Sequence, residues 1–158
     1  MKVEDFLNLA RQTSTIVATA ESCTGGMIAA SCTNLSGSSA WFERGFVTYS
    51  NEAKTDMLGV PPTLIAQHGA VSEEVAKAMA LGALAHSKAN FSVAVTGVAG
   101  PTGGSPEKPV GTVWLAWASK NPAQCISIRQ VFTGDRQAVR EATTALALAQ
   151  LAKMVATS

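Results

Sequence analysis

Three short, mostly apolar segments constrain this chain more than anything else in it. Residues 15–20, 91–96 and 111–118 are long enough to cross a β-sheet and far too short to cross a bilayer. The longest unbroken apolar run, Val113-Trp114-Leu115-Ala116-Trp117-Ala118, has six residues, where a membrane helix needs about 20. Such runs are continuous rather than alternating, which is the pattern of strands covered on both faces. Helical spacing fills the intervals. Val3, Phe6, Leu7 and Ala10 form one apolar stripe, and Met27, Ile28, Ala30 and Ser31 a second. Val75, Met79, Gly82 and Ala83 form a third, and Val139, Ala142, Leu146 and Ala149 a fourth, broadened by Leu148, Leu151 and Val155. The expectation is an α/β fold: one three-layer domain over residues 1–158, with a mixed, mostly parallel sheet of about five strands.

Punctuation refines this outline. A strand over 43–49 should deliver Tyr49-Ser50-Asn51 to a surface. Asn51 then caps a short helix carrying Lys54 and Leu58, stopped by Gly59 and Pro61-Pro62. Asn34, Gly37 and Ser38 end the helix that starts near Met27, and Ser72 caps a longer one with Glu73 and Glu74 at its positive end. Residues 97–109 read as a loop with four glycines and three prolines. Lys120-Asn121-Pro122 turns a hairpin between strands 111–118 and 124–132, and Asp135 opens the last helix. No internal repeat or linker interrupts the chain.

Composition excludes several functions. Hydrophobic residues at 47% against charged residues at 15% are incompatible with a disordered tail. Twelve Lys and Arg against eleven Asp and Glu leave a charge of +1, too little to draw in nucleic acid, so no direct nucleic-acid or membrane partner is expected. Glu4, Asp5 and Arg11 break any signal-peptide pattern in residues 1–20, so the expected compartment is the cytoplasm. Cys23, Cys32 and Cys125 form no paired framework, and His68 and His86 belong to no ligand motif; neither a metal nor a cofactor is expected.

Four stretches carry chemistry-bearing residues. Glu21-Ser22-Cys23-Thr24-Gly25-Gly26 joins a strand to a helix, where backbone N–H groups are free to meet an anion or a developing oxyanion. Ser22 and Cys23 compete as nucleophile there: a thiol ionises more easily, whereas a serine needs a base. Lys54 is the candidate base, with Tyr49 to relay a proton or orient it. Thr96, Gly97 and Gly100 begin a glycine-rich loop that can approach phosphate or ribose, although no nucleotide-binding fingerprint is present. Arg136 and Arg140 lie one helical turn apart, a pairing suited to a phosphate monoester or carboxylate. The same residue types also serve as caps, close-packing glycines and solvated cations.

Six motifs occur together: Thr19-Ala20-Glu21-Ser22-Cys23-Thr24-Gly25-Gly26, Tyr49-Ser50-Asn51-Glu52-Ala53-Lys54, Gly69-Ala70-Val71-Ser72, Thr96-Gly97-Val98-Ala99-Gly100-Pro101, Lys108-Pro109-Val110-Gly111 and Gly134-Asp135-Arg136. In this order they resemble the CinA C-terminal domain family, over nearly the whole chain and in its stand-alone form. That resemblance implies hydrolysis of the carboxamide of nicotinamide mononucleotide to nicotinic acid mononucleotide and ammonia, in pyridine-nucleotide salvage. It implies Ser22, Tyr49 and Lys54 as catalytic residues. Cys23, Thr24, Gly25, Thr96, Gly97, Gly100 and Arg136, or Arg140 beside it, are expected at the substrate. The implied partner is a small pyridine mononucleotide, and a homo-oligomer is expected. Two other classes stand beside this one: a non-catalytic nucleotide-binding regulator, and an interaction module in DNA uptake and recombination.

Overall fold

Parallel strands need long crossovers, and this chain supplies helices for them. The protein is described by a computed structural model covering residues 3–34 and 36–158. Helix α1 (Val3–Thr13) leads into β1 (Val17–Glu21), α2 (Met27–Cys32) and β2 (Phe42–Val47). Then come α3 (Asn51–Leu58), α4 (Pro62–His68), α5 (Glu73–Ala85) and β3 (Phe91–Gly97). The hairpin β4 (Thr112–Lys120) and β5 (Ala123–Val131) precedes the long α6 (Arg136–Ala156). The five strands lie in the order β2-β1-β3-β4-β5. β1 pairs parallel to both neighbours, and β4 runs antiparallel to β3 and β5, so four strands point one way. The ends of β1, β2 and β3 therefore open on one edge of the sheet.

The two sheet faces are built differently. Val17, Val93, Val95, Leu115 and Trp117 face α1, α2 and α6 with bulk, and Trp117 Nε1 donates to the Ala147 carbonyl at 3.0 Å. The other face is nearly all alanine: Ala18, Ala20, Ala94, Ala116 and Ala118. That flat surface lets α5 lie close, with the Ser92 hydroxyl donating to Ala80 O at 2.7 Å. α3 in turn crosses α5 at Gly82, where a Cβ would collide with the Leu58 carbonyl oxygen.

Several boundaries differ from the sequence expectation for physical reasons. Strand β2 stops at Val47, which leaves Tyr49 in the following turn. Ser50, not Asn51, caps α3, its hydroxyl accepting from Ala53 N at 3.0 Å. Pro61-Pro62 does not merely stop α3 but opens α4, since proline loses no hydrogen bond in a first turn. Helix α2 closes at Cys32, ahead of Asn34, and a 3₁₀ turn (Ser38–Ala40) follows. On α6 the buried stripe runs through Val139, Thr143, Ala147, Leu151 and Val155, whereas Ala142 and Leu146 are half-buried and Ala149 is exposed. Thr143 tolerates burial because its hydroxyl donates to Val139 O at 2.7 Å. On α1, Phe6 and Ala10 are buried as expected; the side chains of Val3 and Leu7 lie outside the described residues.

Replacing a mid-helix glycine by alanine ordinarily adds about 1 kcal/mol of stability. At Gly82 the collision with α3 reverses the sign, and Gly82→Ala is expected to cost about 1–3 kcal/mol in urea unfolding. Unchanged or increased stability would mean that the α3–α5 crossing relaxes freely.

Candidate active site

The site begins with a carboxylate that has left water entirely. Glu21 ends β1 with no exposed surface. Its Oε1 accepts from Thr24 Oγ1 at 2.6 Å and Ile28 N at 2.8 Å, and its Oε2 from Ala29 N at 3.0 Å. The last residue of the strand thus caps the helix that follows, placing negative charge at that helix's positive end. Gly25 and Gly26, at φ 59° and 108°, supply the left-handed backbone the turn requires. Ser22 still pairs with the sheet, its N–H donating to Val95 O at 3.2 Å, so its hydroxyl stands at the sheet edge on a fixed backbone.

The chain leaving β2 brings the second group. Lys54 sits one turn into α3 and is only 1% exposed. Its Nζ lies 3.1 Å from Ser22 Oγ, 3.0 Å from the Thr48 carbonyl and 3.2 Å from the Tyr49 carbonyl. An ammonium donates to all three. A neutral amine donates its two hydrogens to the carbonyls and keeps a lone pair for the Ser22 O–H, the arrangement of a general base with its nucleophile. Burial pushes the Lys54 pKa below its ordinary value of 10.5, with nearby Cys23 opposing. Arg136 is not among the causes of that shift; it donates to Gly100 O at 2.9 Å and to the Tyr49 hydroxyl at 3.4 Å.

Cys23 is a poor rival for the nucleophile's place. The residue is 5% exposed, and burial is the main cause that pushes its thiol pKa up to about 11, so near neutral pH it stays protonated. The backbone donors of the turn are also partly committed: Gly25 N–H donates to Ser22 O and Met27 N–H to Thr24 O, both at 3.1 Å.

Ser22 and Lys54 open into a cavity of about 240 Å³ that Cys23, Tyr49, Asn51, Ala70, Val71, Thr96, Gly97, Ala99 and Arg136 also line. Thr24, Gly25, Gly100 and Arg140 are not among its lining residues. Arg140 donates from Nε to Cys23 O at 3.1 Å and from Nη2 to Thr24 O at 3.3 Å, clamping the Ser22 turn. The two arginines thus divide their work: Arg136 faces the cavity and Arg140 holds its frame. A neighbouring groove of about 600 Å³ shares Ala99 and Arg136 and continues along Pro101, Val110, Asp135 and Arg140. Tyr49 is 64% exposed; its carbonyl serves Lys54 while its phenol serves Arg136. Thr96 Oγ1 donates to Ala70 O at 2.8 Å, and Lys108 Nζ to His68 O at 3.0 Å, which pins the wall carrying Ala70 and Val71. Glu21, Asn51, Ala70 and Val71 stand inside the sequence motifs with nothing local to mark their place at the site, except that a glutamate ending an apolar run is the available sign for Glu21. Among the described residues no three His, Cys, Asp or Glu side chains gather as metal ligands, and no helix is long and apolar enough to cross a membrane.

The family described as CinA C-terminal domain matches residues 2–155. The chain is 58% identical over 135 residues to the nicotinamide-nucleotide amidohydrolase PncC of Escherichia coli K12, which spans 85% of this chain and 81% of that protein. The protein of the same name from Pseudomonas putida is 61% identical over 132 residues, 84% of this chain and 81% of that one. The crystal structure of competence/damage inducible protein CihA from Agrobacterium tumefaciens is similar at a TM-score of 0.91 and 47% identity, covering 94% of this chain and 90% of that chain.

The depressed Lys54 pKa makes stability depend on pH with a definite sign. Between the folded value and 10.5 the unfolded chain binds the extra proton, so stability rises as pH rises through that window. Lys54→Met lacks this group. The unfolding free energy of the wild type, measured against that variant, should therefore increase across the window in denaturant titrations; a flat difference would mean that Lys54 titrates normally.

Proposed function

The chain belongs to the CinA C-terminal domain family, and on that premise we propose that it hydrolyses the carboxamide of nicotinamide mononucleotide to nicotinic acid mononucleotide and ammonia, in pyridine-nucleotide salvage. The observation that carries the proposal is the buried Lys54 Nζ, 3.1 Å from Ser22 Oγ, with its other hydrogens directed at two carbonyls. Neutral Lys54 takes the Ser22 proton as Oγ attacks the carboxamide carbon. The tetrahedral oxyanion meets the backbone N–H groups of Cys23 and Thr24; Gly25 drops out of that role because its N–H is held by Ser22 O. The Lys54 ammonium then protonates the departing nitrogen, the C–N bond breaks, and ammonia leaves an ester on Ser22. Water, deprotonated by the same amine, attacks the ester and releases the carboxylate with Ser22 restored.

Binding energy is assigned to the far end of the substrate. Arg136, at the junction of the cavity and the neighbouring groove, suits the phosphate of a mononucleotide, with Thr96 and Gly97 beside it. The phenol of Tyr49, already on Arg136, aligns that guanidinium and the ribose side of the ligand.

The decisive assay is ammonia release from nicotinamide mononucleotide. Turnover is expected to persist in excess chelator, since Ser22, Lys54 and backbone amides supply every step, and to fall steeply with free nicotinamide, which has nothing for Arg136. Binding without ammonia release would identify a nucleotide-binding regulator instead. Ser22→Ala should bind nucleotide and form no product, whereas Cys23→Ala should retain substantial activity; the reverse pattern would move the nucleophile to Cys23.

Lys54→Arg keeps the charge but cannot lose a proton, so it should lower kcat by about 10²-fold or more. A folded Lys54→Arg enzyme with wild-type kcat and pH profile would show that another group activates Ser22.

A further inference from the structure

Asn51 was expected to cap α3, and the structure gives that task to Ser50. The Asn51 side chain is thereby released. It is exposed, has no hydrogen-bond partner among the described residues, and lines the same cavity as Ser22 and Lys54. It stands three residues before Lys54, and positions three apart share a helix face, so its amide lies on the lysine's side of α3, nearer the cavity mouth.

The cavity's chemistry gives such a group a use. Arg136 is a donor that favours a carboxylate, the product, over a neutral carboxamide, the substrate. The hydroxyls of Ser22, Tyr49 and Thr96 keep lone pairs, but each is tied by one hydrogen bond: Ser22 and Tyr49 accept from Lys54 and Arg136, and Thr96 donates to Ala70 O. A primary carboxamide differs from a carboxylate by its N–H donors, and an acceptor free to turn toward them reads them best. Within the cavity Asn51 Oδ1 is the side-chain acceptor without a partner among the described residues.

We propose that Asn51 is a specificity-determining residue whose side-chain carbonyl accepts a hydrogen bond from the substrate carboxamide N–H and so distinguishes substrate from carboxylate product. The inference rests on the amidohydrolase reading above. Because a side-chain amide can also rotate to offer Nδ2 to a carboxylate, aspartate is the informative replacement: it keeps the acceptor and removes the donor.

The test is calorimetric binding of nicotinamide mononucleotide and nicotinic acid mononucleotide to protein carrying Ser22→Ala, alone or with Asn51→Leu or Asn51→Asp. Asn51→Leu should weaken the carboxamide nucleotide about tenfold and leave the carboxylate nucleotide within about threefold. Asn51→Asp should hold the carboxamide nucleotide within about threefold and weaken the carboxylate nucleotide about tenfold or more. Equal effects of Asn51→Leu on both nucleotides, or none, overturn the proposal, as does an Asp variant that loses the carboxamide nucleotide. If the leucine variant does not fold, the aspartate arm decides alone. Discrimination without wild-type ammonia release would leave the Asn51 assignment standing and remove the amidohydrolase reading. Ammonia release without discrimination would do the opposite, and binding of neither nucleotide would overturn both.

Discussion

An amine taken out of water must be given acceptors, and that requirement at Lys54 organises the molecule around it. A buried charge without partners costs several kcal/mol, well beyond the roughly 1 kcal/mol of an ordinary hydrogen bond. The chain meets the demand with backbone. Strand β2 stops at Val47 so that Thr48 and Tyr49 turn their carbonyls toward Nζ, and Ser50 starts α3 at the residue that puts Lys54 one turn in. The lysine's own carbonyl accepts from Val60 N at 3.2 Å, which fixes the far end of the helix as well. Ser22, the third acceptor, comes from the adjacent strand, so the β1–β2 pairing and the site are one construction.

Glu21, the second buried ionisable side chain, solves the same problem with donors in place of acceptors. Its three donors come from the turn and first residues of α2, so the carboxylate stabilises the short helix and fixes the Ser22 backbone together. Neither group pairs with the other. Glu21 is satisfied within its own crossover and Lys54 by two carbonyls of its own and Ser22 of the other, because the sheet edge brings the two crossovers side by side. The alanine face beneath allows this closeness: with bulk on that side, α5 and the α3 helix lying on it would stand farther from the strands.

Much of this was legible in the sequence, and the exceptions share a cause. Apolar runs located β1, β3 and β4 to within about two residues, a usual uncertainty for element ends. Ser72 and Asp135 were readable as caps because each precedes an uninterrupted helix, and their side chains accept from Val75 N and Ala138 N. Where two adjacent residues can both cap, as at Ser50-Asn51, local chemistry does not choose; the position of Lys54 does. The α6 stripe was misplaced because Thr143 and Thr144 count as polar by type, although both hydroxyls are satisfied by carbonyls one turn back. Ser22, Tyr49, Lys54 and Arg136 stood in recognisable motifs, and the structure gathers them around one cavity. The division of labour between Arg136 and Arg140 was invisible, since it depends on which carbonyls lie opposite α6 across more than a hundred residues of chain.

Two of the three acceptors on Lys54 are main-chain carbonyls, and a carbonyl survives any substitution of the residue that carries it. Thr48 illustrates the point: its hydroxyl is buried with no partner among the described residues, and only its backbone touches the amine. The lysine's setting is therefore largely decoupled from side-chain drift in the loop that makes it. Sequences can explore the wall of the cavity at position 49, and with it the choice of ligand, while the environment that lowers the lysine's proton affinity is inherited through the shape of the backbone.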